Sequence, residues 1–112
     1  MNAIVKILLA TFLSVGVVVH IYGLFYHPFP ESDLSHIIHI LSYSLCLFTF
    51  LRPVEFRIWL YVIGAAYPFF YHARCFFVPL IELHKFNYIC LEVIIVLPLA
   101  AWFILKQNRP AL

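Results

Sequence analysis

Six histidines are the residues of this sequence best suited to chemistry. His36 and His39 stand three residues apart in the stretch DLSHIIHILSYSLCLF, and His20 and His72 lie in two other apolar stretches. Neutral imidazole is a common ligand of zinc and iron, and two imidazoles can hold a haem iron from opposite sides. A His-x-x-His pair alone is a weak metal motif, because it lacks the glutamate of a HExxH helix. Whether the pair belongs to a metal site therefore depends on whether the other histidines lie close to it in the folded protein.

The chain that carries these histidines has the composition of a membrane protein. Of its 112 residues, 65% are apolar and only 11% are charged, which leaves too little polar surface for a soluble domain. Four long apolar stretches account for almost the whole chain, each near the roughly 20 residues that cross a bilayer. The net charge of +2 is small and scattered, which argues against nucleic acid as a partner. We therefore expect an all-α integral membrane protein.

The predicted architecture is one membrane domain over residues 1–112, an up-down bundle of four transmembrane helices with short loops. Prolines separate the spans: HPFPESD ends the first, and the Arg52-Pro53 pair ends the second. Asp33 or Ser35 is the expected N-cap of the second span. VPLIELHK is expected to form an interfacial turn between the last two. The predicted spans cover residues 5–26, 34–51, 57–77 and 86–105.

Positive charges predict how this bundle is oriented. Five of the seven lie at the ends of the spans on one side: Lys6, Arg52, Arg57, Lys106 and Arg109; Lys85 lies in the third loop, with Arg74 close to its start. The first loop contains no lysine or arginine. Under the positive-inside rule, both termini and the second loop lie on the cytoplasmic side, or on the matrix side in an organelle. The expected location is the bacterial inner membrane, with an organellar inner membrane as the alternative.

In this topology every histidine falls in the outward half of the bundle. Counting residues from the span ends puts His20, His39, His72 and Glu92 at a similar depth on four helices, about 9 Å below the outer edge for His20. Ionisable groups inside a membrane normally face the interior of the bundle. The sequence therefore predicts one polar pocket near the outer surface.

Other outward residues are expected to need no ligand. His27, His36 and His84 are predicted to lie at the headgroup level, where water satisfies their ring nitrogens. Cys75 and Cys90 flank the third loop, and an oxidising compartment would allow a disulfide between them. Nothing in the sequence sets the distance that such a bond requires.

Two kinds of ligand suit the predicted pocket. His20, His39, His72 and Glu92 form a candidate site for a divalent metal such as zinc or iron. Alternatively, His20, His39 and His72, with Tyr43 beside them, bind haem or a quinone headgroup. Glycines on either side of His20 would then leave room for a flat macrocycle. The sequence has one methionine, its first residue, which disfavours a Cu(I) pathway.

Three hypotheses about function follow from these patterns. The first is a small subunit of a larger redox or respiratory-type complex, with a ligand in the pocket and with lipids and other membrane subunits, or further copies of itself, as partners. The second is a structural or assembly subunit without a cofactor, whose histidines and glutamate only hold the helices together. The third is a metal-dependent membrane enzyme acting on lipid, with Glu92 as its general base.

Overall fold

Four α-helices joined by short loops make up the computed structural model, which describes residues 3–107. The helices are α1 (Ala3–Tyr26), α2 (Asp33–Leu51), α3 (Arg57–Glu82) and α4 (Tyr88–Gln107). Helices that follow each other in the sequence pack side by side, α1 on α2, α2 on α3 and α3 on α4. The predicted all-helical fold with four helices is confirmed. Arg109, one of the charges used to predict orientation, lies outside the described residues.

Within residues 3–107, three helices are long and apolar enough to cross a membrane: α1, α2 and α4. The third helix is not among them, although its 26 residues make it the longest. Tyrosine, proline, histidine and arginine interrupt its apolar sequence. The outside of the bundle is strongly apolar, and side chains such as Phe25, Trp59 and Phe70 are more than 65% exposed. Such a surface fits an integral membrane protein, because large exposed apolar areas are typical of membrane contact.

Two helix boundaries differ from those predicted. The N-cap of α2 is Ser32, whose hydroxyl oxygen accepts a hydrogen bond from the Ser35 N–H at 3.1 Å, so neither Asp33 nor Ser35 has that role. The third helix continues through Pro79 to Glu82, so the first part of VPLIELHK is helical and not an interfacial turn. The proline removes a single backbone donor, and the chain after it keeps its helical hydrogen bonding.

Two of the histidines that were predicted to lie in the outward half close helices with their backbone. His27 follows α1 and His84 follows the C-cap of α3, and both have left-handed backbone conformations, with φ of 52° and 51°. The His27 N–H donates to the Gly23 carbonyl at 3.0 Å, which satisfies one of the last carbonyls of α1. Both side chains are exposed. That neither histidine needs a ligand stays a prediction.

An apolar core fills the bundle at the end away from the histidines and receives residues from all four helices. The main buried side chains there are Leu9, Leu13, Cys46, Phe50, Tyr61, Leu97, Ala100, Phe103 and Ile104. Tyr61 links α3 to α4, because its hydroxyl donates to the Leu97 carbonyl at 2.9 Å. The core thus holds the helices in register without using any of the histidines.

One charged side chain ties α2 to α3. Arg57, the first residue of α3, is 7% exposed, and its guanidinium donates to the carbonyls of Thr49 and Phe50. These carbonyls belong to the last turn of α2, which has no helical donors of its own for them. A cation at this position also complements the negative end of the helix dipole. Arg57 therefore caps α2 from the neighbouring helix.

Replacing Arg57 with methionine should destabilise the bundle, since methionine keeps much of the buried stem but leaves both carbonyls without a donor. Hydrogen bonds from a charged group contribute about 1.5–3 kcal/mol each, so we expect the free energy of unfolding to fall by about 3 kcal/mol. The measurement is SDS titration in detergent micelles, followed by circular dichroism. Arg52→Met, at an exposed neighbouring position, is the control and should change stability by less than about 0.5 kcal/mol. Equal losses in the two variants would contradict the capping role.

Candidate metal centre

Four histidines and one glutamate meet where α1, α2 and α3 come together, and we call these five residues the histidine cluster. His20 belongs to α1, His36 and His39 to α2, and His72 to α3, while Glu31 lies in the loop between α1 and α2. None of the four histidines is more than 8% exposed, and the Glu31 side chain is also 8% exposed. Burying this many polar rings is costly unless their nitrogens find partners. The partners that they have determine what the cluster can do.

His39 has one satisfied ring nitrogen and one free ring nitrogen. Its Nδ1 lies 2.7 Å from Glu31 Oε2 and 2.9 Å from the Ser35 carbonyl oxygen. Both neighbours are acceptors, so Nδ1 carries the ring proton and donates it. The other nitrogen, Nε2, is then unprotonated, and among residues 3–107 it is fully buried without a hydrogen-bond partner. His39 therefore holds a free lone pair inside the protein.

His72 is held in the same way on the next helix. Its Nδ1 lies 2.7 Å from the Pro68 carbonyl oxygen, one turn earlier, and donates to it. The lone pair of His72 is therefore on Nε2 as well. His20, His39 and His72 each offer one nitrogen within 4.8 Å of the other two. We call these three residues the inner group.

A second set of atoms lies closer to the loop between α1 and α2. The Nδ1 atoms of His20 and His36 are 2.9 Å apart, and each is 3.7 Å from Glu31 Oε2. His20, Glu31 and His36 likewise satisfy the 4.8 Å separation expected of metal-ligand atoms. We call these three residues the outer group. The inner and outer groups share His20.

The rings of the cluster are packed directly on one another. His20 stacks on His39 with centroids 4.0 Å apart and planes within 6°, and the Tyr43 ring lies beneath both at 5.7 and 6.0 Å. Gly16 and Gly23 of α1 make this approach possible. A Cβ on Gly16 would be 2.8 Å from the Tyr43 ring, and a Cβ on Gly23 would be 2.4 Å from the His36 ring. The spaces beside the two glycines are thus filled by side chains of α2.

Glu31 is the anion at the centre of the cluster. Burial raises the pKa of its carboxyl, but hydrogen bonds from His39 and Ser35 outweigh this effect and lower the pKa from 4.5 to about 2. The Ser35 hydroxyl donates to Glu31 Oε2 at 2.7 Å and also lies 2.9 Å from the Tyr67 hydroxyl. Glu31 is therefore ionised, and its charge is held by contacts with α1 and α2, while Ser35 connects it to Tyr67 of α3.

Glu92, predicted as a metal ligand, is not a member of either group. It is exposed on α4, as are Tyr88 and Ile95, which lie on the same face of that helix. The buried face of α4 instead carries Cys90, Val93, Leu97, Ala100 and Ile104. This helix is apolar almost all round, so the position of its few polar residues is a poor guide to which face is buried.

Three of the four predicted metal ligands lie together in the structure, and two further residues of the cluster were not predicted. His20, His39 and His72 lie together, and Tyr43 is the ring beneath them. His36 was expected in water at the membrane surface, but it is fully buried against Gly23. Glu31 was expected only as a polar loop residue. The one local signal for it is Ser35, four residues later, which donates to its carboxylate.

The three cysteines are free thiols. Cys75 in the C-terminal half of α3 is partly exposed, and Cys90 near the start of α4 is buried. They lie within hydrogen-bonding reach of each other without being bonded.

No protein-family model, no curated protein and no solved structure matches this chain. The geometry of the histidine cluster is therefore the observation from which a function can be proposed.

Gly23→Ala should disturb the cluster through His36, because the added methyl group would occupy the space of the imidazole. Overpacking of this kind destabilises a protein by about 1–3 kcal/mol. The higher helix propensity of alanine offsets up to about 1 kcal/mol of this loss. We expect a net loss of about 1–2 kcal/mol in the free energy of unfolding. Val18→Ala, at an exposed position of the same helix, should change it by less than about 0.5 kcal/mol. A neutral Gly23→Ala would contradict the close contact.

The ionised Glu31 should make stability depend on pH in the acid range. Because its pKa is lowered from 4.5 in the unfolded chain to about 2, its stabilisation is complete above the higher value and is lost as pH falls through the lower one. Metal-free wild-type protein should therefore lose several kcal/mol more than Glu31→Gln between about pH 5 and pH 2. Glu55→Gln, at an exposed loop position, should follow the wild-type curve. Parallel curves for wild type and Glu31→Gln would contradict an ionised Glu31.

Proposed function

We propose that this protein is an integral membrane protein that binds one divalent transition-metal ion, of the zinc type, in the inner group of the histidine cluster. The observation that carries the proposal is His39, whose Nδ1 is held by a buried carboxylate while its Nε2 is buried without a partner. This is the arrangement of a metal-binding histidine, in which a carboxylate sets the tautomer and aims the free nitrogen at the ion.

The composition of the inner group supports a zinc-type ion. Three imidazole nitrogens from three helices match the three protein ligands of an open zinc site, which keeps its fourth position for water or another ligand. His72 offers Nε2 for the same reason as His39, because a backbone carbonyl holds its Nδ1 proton. An ion bound here would also satisfy the lone pair that His39 otherwise buries at a cost in free energy.

The packing of the cluster favours a single ion over haem or a quinone. The glycines beside His20 are covered by Tyr43 and His36, so they do not form a slot for a macrocycle. His20 and His39 stack directly on one another at 4.0 Å, which leaves no gap between them for a flat ring. Neither Soret absorption nor a bound quinone is expected.

The membrane arrangement that best accommodates this site is the predicted bundle of four spans with both termini in the cytoplasm. A helix of 26 residues is about 39 Å long, enough to cross, and α3 packs between two helices that are apolar enough to span. Arg57 at its start lies beside the end of α2, where Arg52 adds to the positive charge. The cluster then lies toward the outer surface. That the protein works within a larger redox-type complex stays a prediction.

The competing function is a structural one, in which the cluster only holds helices together. The contact between His20 and His36 links α1 to α2, and the contact between Ser35 and Tyr67 links α2 to α3. Such hydrogen bonds stabilise packed membrane helices by roughly 0.6 kcal/mol each on average. This role alone gives no reason for the free Nε2 of His39.

Metal analysis and cobalt titration of the purified full-length protein in lipid nanodiscs separate the two functions. We expect one ion per chain and a visible spectrum typical of four-coordinate Co²⁺. His39→Gln and His72→Gln should each weaken cobalt binding by at least tenfold, since each removes one of three ligands. His84→Gln, which changes an exposed histidine, should bind like the wild type. A folded protein that binds no metal, or equal binding by all three variants, would refute the proposal.

A further inference from the structure

The outer group has the spacing of a metal site in its own right. Its ligand atoms, the Nδ1 atoms of His20 and His36 and Oε2 of Glu31, are separated by 2.9, 3.7 and 3.7 Å. Ligands of a tetrahedral zinc ion, each at 2.0–2.1 Å from the metal, lie about 3.4 Å from one another. Small side-chain movements would therefore bring all three atoms to coordination distance. All three side chains are also more than nine-tenths buried.

The inner and outer groups cannot both be filled. A neutral imidazole has one lone pair, so His20 can coordinate one ion at a time. Whichever of its nitrogens serves the inner group, binding there excludes His20 from the outer group. The two groups are therefore alternative positions for a single ion, and His20 belongs to both.

The two positions lie one behind the other. The outer group contains Glu31, from the loop, and His36, from the first turn of α2. His39 lies three residues further along α2, about 4.5 Å deeper. An ion that approaches from the end of the bundle that carries this loop reaches the outer group first. Glu31 also gives the outer group a negative charge, which the inner group lacks and which attracts a cation.

The inner position is the one where the ion should rest. Coordination by His36 Nδ1 puts the ring proton on Nε2, which is buried beside Gly23 without an acceptor. Coordination by Nε2 of His39 leaves the proton on Nδ1, where Glu31 and the Ser35 carbonyl accept it. The outer position also leaves the Nε2 lone pair of His39 buried without a partner, whereas the inner position satisfies it, so the outer position holds the ion more weakly.

We propose that His20, Glu31 and His36 form a loading position for a divalent transition-metal ion, which passes to the inner group when His20 changes its coordination from one position to the other. This inference rests on the proposed function and adds the path by which the ion arrives. In the loading position the protons of His20 and His36 are on Nε2. When the ion moves inward, the proton of His36 stays on Nε2 and the lone pair of its Nδ1 becomes free, so no proton is released and only coordinate bonds are exchanged.

Stopped-flow mixing of Co²⁺ with the full-length protein in nanodiscs tests the loading position. His36→Gln should slow the appearance of the cobalt spectrum at least tenfold, while one ion per chain is still bound at the end. His27→Gln is the matched control, because His27 lies near the same loop but is exposed and paired only with Asp33 at 3.3 Å; it should load at the wild-type rate. His36→Asn, measured in parallel, guards against a folding defect specific to glutamine.

A second variant traps the ion at the outer position. In His72→Gln the inner group loses a ligand, so the remaining, weaker cobalt binding should show a shifted visible spectrum, and adding His36→Gln should abolish it. Wild-type loading rates in both His36 variants, or two cobalt ions bound at once to the wild type, would overturn the loading position and leave the inner site standing. A wild-type protein that binds no cobalt would refute the inner site and the loading position together.

Discussion

A buried carboxylate surrounded by imidazoles is the constraint on which this structure depends. Glu31 stays ionised in an environment that excludes most water, and an isolated charge could not be kept there. Its Oε2 atom receives hydrogen bonds from His39 and Ser35 and lies 3.7 Å from His20 and His36. These contacts of Glu31 require the loop between α1 and α2 to fold back over the bundle. They also require α1 to approach α2 closely, which its glycines allow.

The two ends of the bundle are stabilised by different kinds of interaction. At one end, apolar side chains from four helices pack into a common core, and Arg57 caps α2 from outside that helix. At the other end, α1, α2 and α3 meet through rings and hydrogen bonds, and α4 contributes no histidine. Because apolar contacts join all four helices at the first end, the polar end is free to keep a lone pair unsatisfied. A protein whose packing relied on the histidines would gain nothing from leaving His39 Nε2 without a partner.

The ring nitrogen that carries the proton distinguishes the inner group from the outer group. Where a carbonyl or carboxylate accepts the Nδ1 proton, as for His39 and His72, the opposite nitrogen is free for a ligand. In His20 and His36 the two Nδ1 atoms face each other and share one hydrogen bond. Either ring can be its donor, and either can exchange this bond for a ligand. The first arrangement suits stable coordination and the second suits temporary coordination. One glutamate supports both, because its carboxylate contacts both sets of atoms.

The sequence by itself determined that this chain forms helices of membrane length, since long apolar runs between prolines leave few alternatives. It also predicted that His39 and His72 lie near His20, because the three histidines have a similar depth in their spans and ionisable groups inside a membrane face the interior of the bundle. The phase of α4 was wrong, because a helix apolar on every side does not reveal which face is buried. Only the tertiary structure shows that Glu31 and His36 belong to the histidine cluster. The path of a loop and the rotation of a helix depend on contacts between elements, and local spacing does not contain them.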